Sequence, residues 1–203
     1  CLDHIFKNKI CSCLVNPKAC HETEFEKLQA DKKKKIAVIG AGPAGLSFAI
    51  EAAKLGHDVT IYEAKSQIGG QINIAKEIPG KEEFHETIRY FEKQIELNNI
   101  SLKLDTKVTL DILKNTDFDD FVFSTGIEPR IPKIDGIDSQ NVLTYSDVLL
   151  DKKNVGKSVA IIGAGGIGFD TAEFLAHNPA HKPTSLDKEA FYKEWGINIE
   201  HNT

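Results

Sequence analysis

The sequence predicts an α/β protein on a parallel sheet, from three observations: two glycine fingerprints of one form, a β-branched run feeding each, and a helical apolar pattern after each. The first is Gly40-Ala41-Gly42-Pro43-Ala44-Gly45 after Ile36 to Ile39, and the second is Gly163-Ala164-Gly165-Gly166-Ile167-Gly168 after Val159 to Ile162. Strand, tight turn and helix start in that order make an anion cradle, because first-turn N–H groups lack intrahelical carbonyls and the helix dipole adds positive charge. The first glycine permits the turn, the second lets backbone approach a phosphate, and the third lets helix pack on strand. Two such cradles point to two nucleotides held side by side.

One GxGxxG also marks ordinary turns, so its surroundings decide its meaning. From Gly45 the chain runs Leu46, Ala49, Ile50 and Ala53 at helical spacing, stops at Gly56, and gives a second strand Val59 to Tyr62 ending at Glu63. This is a complete Rossmann-like βαβ unit. Glu63 sits where a carboxylate accepts hydrogen bonds from both hydroxyls of an adenosine ribose; the alternative is a surface Glu closing a strand. Gly69-Gly70-Gln71 leaves room for a bulky dinucleotide, and a further strand, Phe121 to Ser124, closes on Thr125-Gly126 at the ligand-binding edge of the sheet. Acidic strand end, then GGQ, then a strand closing on TG is what FAD-binding reductases of the two-dinucleotide type look like. FAD is the expected ligand.

The second fingerprint begins soundly but is unfinished. Lys157 to Ile162 reads as a strand, and Phe169, Ala172, Phe174, Leu175 and Ala176 as a helix that Asn178-Pro179 and Lys182-Pro183 break. Leu186 to Ile197 reads as another amphipathic helix, with Ala190, Phe191, Trp195 and Ile197 as candidate core contacts. One strand and a helix cannot bury a sheet, so the sequence predicts a truncated Rossmann-like NAD(P)-binding domain or strands supplied from elsewhere. The residues that choose NAD or NADP belong at the end of the strand that does not appear.

Composition fits a piece of an enzyme: 203 residues, 41% hydrophobic, 27% charged. Net charge −5 argues against nucleic acid or anionic membrane as general partners. No run approaches the roughly 18 apolar residues of a bilayer span, and no secretory signal opens the chain, so a cytoplasmic protein is expected. The basic run Lys32 to Lys35 reads as a solvated linker end. A start at Cys1 and the lack of any Met predict an excised segment. The four cysteines, Cys1, Cys11, Cys13 and Cys20 with His21, fit no common zinc ribbon; idle thiols and metal ligation both stay open on spacing.

Several stretches carry a family resemblance: Ser12 to Pro17 with Ala19-Cys20-His21-Glu22, the Gly40 to Leu46 fingerprint, Ile68 to Gln71 through Ile78 to Phe84, and Ala160 to Gly163 with Gly168-Phe169-Asp170. Together they resemble the C-terminal half of the bacterial NADPH-dependent 2,4-dienoyl-CoA reductases, a flavin and iron–sulfur family related to trimethylamine dehydrogenase. The resemblance implies three regions: a cluster-loop remnant and linker over 1–34, an FAD-binding domain over 35–153, and an incomplete NAD(P)-binding domain over 154–203. It implies FAD contacts from Gly40, Gly42, Ala44, Gly45, Glu63, Gly70 and Gln71, with Thr125-Gly126 near the flavin and NADP(H) at Gly163, Gly165 and Gly168. Arg89, on a helix whose inward face reads Phe84, Ile88, Phe91 and Ile95, reaches the pyrophosphate or stands in solvent; contact is favoured. Val108, ending a strand Leu102 to Val108, lies against the adenine or serves as a core valine.

The family's 4Fe–4S motif, Cys-x2-Cys-x3-Cys-x11-Cys, maps its last two ligands onto Cys1 and Cys13. Two thiolates cannot hold a four-iron cube, so this chain is expected to lack the cluster, and Cys11 and Cys20 take buried or helix-capping roles. The resemblance implies that the parent passes hydride from NADPH to FAD, then electrons through the cluster to an FMN in an N-terminal barrel, where a dienoyl-CoA substrate is reduced. No residue of this chain carries that last step. Rivals are a disulfide reductase, which needs a Cys-x-x-Cys the chain lacks, an amine dehydrogenase-like or glutamate synthase small-subunit-like flavoprotein, and a non-catalytic nucleotide- or zinc-binding module.

Overall fold

The computed structural model describes residues 2–13, 16–25, 29–177 and 187–198. Its elements run α1 (Leu2–Ile5), β1 (Lys35–Ile39), α2 (Pro43–Lys54), β2 (Asp58–Tyr62), α3 (Ile72–Ala75), α4 (Phe84–Leu97), β3 (Ser101–Lys103), α5 (Leu110–Lys114), β4 (Asp120–Phe123), α6 (Tyr145–Leu149), α7 (Gly166–Ala176) and α8 (Lys188–Glu194). The four strands form one parallel sheet in the order β3-β2-β1-β4. The expected Rossmann-like α/β architecture is therefore present around the first fingerprint. Its order reverses beside β1, with β2 on one side and β4 on the other, and ligands of open parallel sheets bind at such a switch point.

The βαβ unit forms where the apolar pattern placed it. Ile36, Val38, Val59 and Ile61 of the central strands are buried, and Leu46, Ala49 and Ile50 of α2 pack on them. Gly56, at φ +103°, ends α2 by donating its N–H to the Ala53 carbonyl, and the chain turns directly into β2. Phe91 and Ile95 of α4 close the cluster, with Ile88 packed at its edge.

Several expectations give way. Phe84, the first residue of α4, is exposed rather than inward. The strand expected over 102–108 is only Ser101–Lys103, because Asp105 turns at φ +50° and donates its N–H to the Lys65 carbonyl, while Thr106 donates to that of Glu63. Val108 is thus outside the ladder and half-buried. Lys32, Lys33 and Lys35 are exposed as expected, but Lys34 and Lys35 are more than a linker end: Lys34 Nζ reaches Asp120 and Lys35 Nζ reaches Asp117, which fasten the start of β1 to the approach and start of β4. Those carboxylates hold both ammonium groups above their ordinary pKa.

The expected strand Lys157 to Ile162 joins no ladder among the described residues, and Val159, Ile161 and Ile162 are exposed. A β-branched run becomes a strand only when another strand supplies hydrogen-bond partners and a covered face. Helix α7 forms as expected, yet Phe169 is exposed and Thr171 is its buried residue. Helix α8 is shorter than expected and buries none of its residues, with Trp195 and Ile197 exposed; Leu186 lies outside the described residues. Asp187 caps α8 by accepting the Glu189 and Ala190 N–H groups.

Candidate dinucleotide-binding site

At the first fingerprint, β1 ends in Gly40, which takes φ +106°, a left-handed value open to glycine. A Cβ on Gly40 would lie 2.4 Å from the Ser124 carbonyl oxygen, so the turn is pressed against the end of β4. Gly42 is the N-cap of α2 in an extended conformation, no side chain caps the helix, and its first turn carries no acidic residue. Pro43 has no N–H to leave unsatisfied, which makes it a good first helical residue. The amides that open α2 are thus available to an anion, with the dipole behind them. Gly45 completes the motif: a Cβ there would meet the Gly40 carbonyl oxygen at 2.1 Å and Ser124 Oγ at 2.4 Å. Only hydrogen fits between helix and strand.

Glu63 follows β2 and turns its carboxylate back to this turn. Oε2 accepts the Ala41 N–H at 2.8 Å and Oε1 accepts the Lys65 N–H at 2.9 Å. The group is half-buried, and each oxygen keeps a second lone pair for a ligand hydroxyl. The GGQ loop docks on the same place. Gly69 donates its N–H to the Ala41 carbonyl at 2.8 Å, and a Cβ on Gly70 would stand 3.0 Å from the Gly42 Cα. Gln71 Nε2 donates to the Ile127 carbonyl at 3.3 Å, which brings the loop beside the exposed Thr125-Gly126 segment.

Gly40, Gly42, Ala44, Gly45, Glu63, Gly70, Gln71, Thr125 and Gly126 therefore lie around one sheet edge. Arg89 is different: it is exposed and paired with Glu86 one turn earlier on α4. Sequence reasoning gave no role to two residues here. Ser124 hydrogen-bonds the turn, and its only signal was a hydroxyl at the end of β4. Asn73 is buried, donates Nδ2 to the Ile68 carbonyl at 2.7 Å, and leaves Oδ1 without a partner among the described residues. Its signal was a polar residue within an otherwise apolar turn of helix.

The second fingerprint repeats the backbone. Gly163 takes φ +127°, Gly165 is the extended N-cap of α7, and a Cβ on Gly168 would meet the Gly163 carbonyl oxygen at 2.3 Å. No sheet stands behind it among the described residues. It is tied to the first region by Lys81, whose Nζ lies 2.6 Å from Asp170, and by Lys152, which pairs with Glu77 at 2.6 Å and lies over the Phe174 ring. An open cleft of about 300 Å³ lies beside these pairs, between Ile78, Pro79, Phe174 and His177, and holds neither glycine turn.

Of the cysteines, only Cys11, Cys13 and Cys20 lie among the described residues. Cys1 lies outside the described residues, Cys13 Sγ accepts the Asn16 N–H at 3.4 Å, and no group of three or more His, Cys, Asp or Glu side chains among the described residues is placed to hold a metal ion. Against expectation, Cys20 is exposed at φ +64° and Cys11 is half-exposed, and neither caps a helix, because this segment is built of turns.

Residues 34–188 match the sequence profile of the pyridine nucleotide-disulphide oxidoreductases. The chain belongs to that family. These are flavin-dependent NAD(P)H oxidoreductases, which agrees with two dinucleotide turns of one geometry. The chain is 37% identical over 182 residues to a metal reductase of Desulforamulus reducens and 37% identical over 185 residues to an NADH oxidase of Thermoanaerobacter brockii. These matches cover 88% and 87% of this chain but 27% and 28% of those proteins. The structure of a 2-naphthoyl-CoA reductase with 2-naphthoyl-CoA superposes at TM-score 0.81 and 40% identity, over 87% of this chain and 27% of that one. The chain thus spans about a quarter of the length of these family members. No described helix is long and apolar enough to cross a membrane.

Proposed function

We propose that the chain is the FAD- and NAD(P)H-binding portion of a flavin oxidoreductase whose full-length form reduces 2,4-dienoyl-CoA thioesters with NADPH. The observation that carries the FAD reading is the convergence of the uncapped start of α2, the Glu63 carboxylate and the Gly69-Gly70 loop on one turn. In this reading 35–153 is the FAD-binding domain and 154–203 opens the NAD(P)-binding domain. The amides at Gly42, Ala44 and Gly45 hold the pyrophosphate, Glu63 holds the adenosine ribose, and Val108 lies toward the adenine. Gly70, Gln71, Thr125 and Gly126 border the isoalloxazine, and Gly163, Gly165 and Gly168 receive the NADP(H) pyrophosphate.

When bound, the flavin accepts a hydride and releases electrons one at a time. The chain's own share is to hold the dinucleotides and neutralise their phosphates. In this reading Cys1 and Cys13 are the last two ligands of a 4Fe–4S centre whose other two ligands, with an FMN and the substrate pocket, lie in the remainder of the parent protein. The similarity to a 2-naphthoyl-CoA reductase supports a CoA thioester with conjugated unsaturation as the substrate class. The similarity to an NADH oxidase favours a second reading, an oxidase using the same two nucleotides. The test is NADPH oxidation by the full-length protein in the presence and absence of O2, each with and without a 2,4-dienoyl-CoA. Turnover that requires a 2,4-dienoyl-CoA supports the reductase, whereas oxidation that requires O2 and ignores the thioester favours the oxidase.

A further inference from the structure

We infer that Ser124 is a positioning residue for the FAD site, fixing the one peptide unit that joins the glycine turn to Glu63. The inference rests on the FAD reading above. Ser124 Oγ lies 2.9 Å from the Gly40 carbonyl oxygen and 3.0 Å from the Ile39 carbonyl oxygen. The Ser124 N–H also donates to Ile39 at 2.8 Å, so β4 continues to hold β1 one residue past its end. A hydroxyl has one proton, shared here between two carbonyls.

The Gly40 carbonyl and the Ala41 N–H belong to the same planar peptide. Ser124 holds its oxygen, and Glu63 Oε2 holds its N–H at 2.8 Å. On the strand side, the Gly40 N–H is fixed to the Tyr62 carbonyl at 2.8 Å. A glycine at φ +106° has wide freedom, and without the hydroxyl this peptide is steered by the carboxylate alone. Glu63 is also the group proposed to bind the ribose. Ser124 therefore keeps the peptide oriented while the Glu63 carboxylate is shared with ligand hydroxyls. The packing leaves the hydroxyl no other place: Ser124 Oγ stands 2.4 Å from the position of a Cβ on Gly45, against the hydrogen-only face of α2.

The experiment compares wild type, S124A, S124T and S124C, measuring FAD affinity by quenching of flavin fluorescence and the unfolding midpoint of each ligand-free chain. One net hydrogen bond corresponds to about fivefold in affinity, so S124A is expected to bind FAD about fivefold more weakly and S124T within about twofold of wild type. S124C, a weak donor, falls between them. In a cycle with E63Q, the S124A penalty shrinks to less than about twofold, because both act through one peptide. Wild-type FAD affinity in S124A, or a lowered ligand-free midpoint with unchanged affinity, overturns the assignment of Ser124 alone. Failure of the wild-type chain to bind FAD overturns both this inference and the FAD reading. If S124A does not fold, weakened binding by S124T with wild-type binding by S124C overturns the inference, and the reverse order supports it.

Discussion

The two glycine turns share a backbone and differ in everything behind it. Gly40 and Gly163 both take left-handed φ, Gly42 and Gly165 are both extended N-caps, and Gly45 and Gly168 both press a helix onto the first glycine's carbonyl. Yet Ile36 to Ile39 is paired on both sides and buried, whereas Val159 to Ile162 is unpaired among the described residues and exposed. The turn is a local property that a few glycines and a helix start encode. The strand feeding it is a collective property, present only where neighbours complete its ladder.

That difference sets the largest expected effect. I61A opens a cavity in the packed sheet and should cost about 3 kcal/mol in chemical denaturation, while I162A, on an exposed run, should stay within about 0.5 kcal/mol. Equal penalties would mean that the second run is covered. Next, G45A drives a Cβ against the Gly40 oxygen and Ser124 Oγ and should cost about 2 kcal/mol together with FAD binding. G168A makes the matching clash with Gly163, but should leave the unfolding of the first region unchanged by differential scanning calorimetry.

A smaller effect probes how the two regions are joined. K81M, which breaks the pair with Asp170, should cost less than about 1 kcal/mol, and the difference from wild type should vanish in high salt, because both partners are a third or more exposed. A salt-independent loss would show that packing along Lys81 matters more than charge.

The smallest effect is a pH dependence at α6, which packs against α7. Thr144 and Asp147 form a capping box, and hydrogen bonds from Lys153 and then Thr144 hold the Asp147 carboxyl well below the usual carboxylate range. A depressed folded-state pKa contributes stability above the unfolded value, about 3.9, and that stability is lost as pH falls through the folded one. The midpoint difference between wild type and D147N should therefore be constant above about pH 5 and close below about pH 4. A difference that changes between pH 6 and 8 would contradict this account.

Much of the first region was legible because its determinants are local. Alternating burial in Val59 to Tyr62, the Gly56 stop and the Glu63 strand end each follow from neighbours in sequence. Length and burial were less legible where tertiary contacts decide. The third strand stops at Lys103 because Asp105 bonds to Lys65, a partner 40 residues away. Trp195 and Ile197 read as core by periodicity, yet the chain offers them no covering surface among the described residues. At the site, glycines and Glu63 announce themselves by spacing. Ser124 and Asn73 do not: Ser124 acts on the Ile39 and Gly40 carbonyls, which only folding brings near, and Asn73 stands out only because folding buries it.

The most direct test of the central claim, that the Gly40 turn and Glu63 hold an adenine dinucleotide, is flavin binding to the chain with ADP as competitor. The account predicts that FAD binds at one site per chain, that ADP displaces it, and that FMN, which lacks the adenosine half, binds far more weakly. Equal binding of FMN and FAD, or FAD binding that ADP cannot displace, would contradict it.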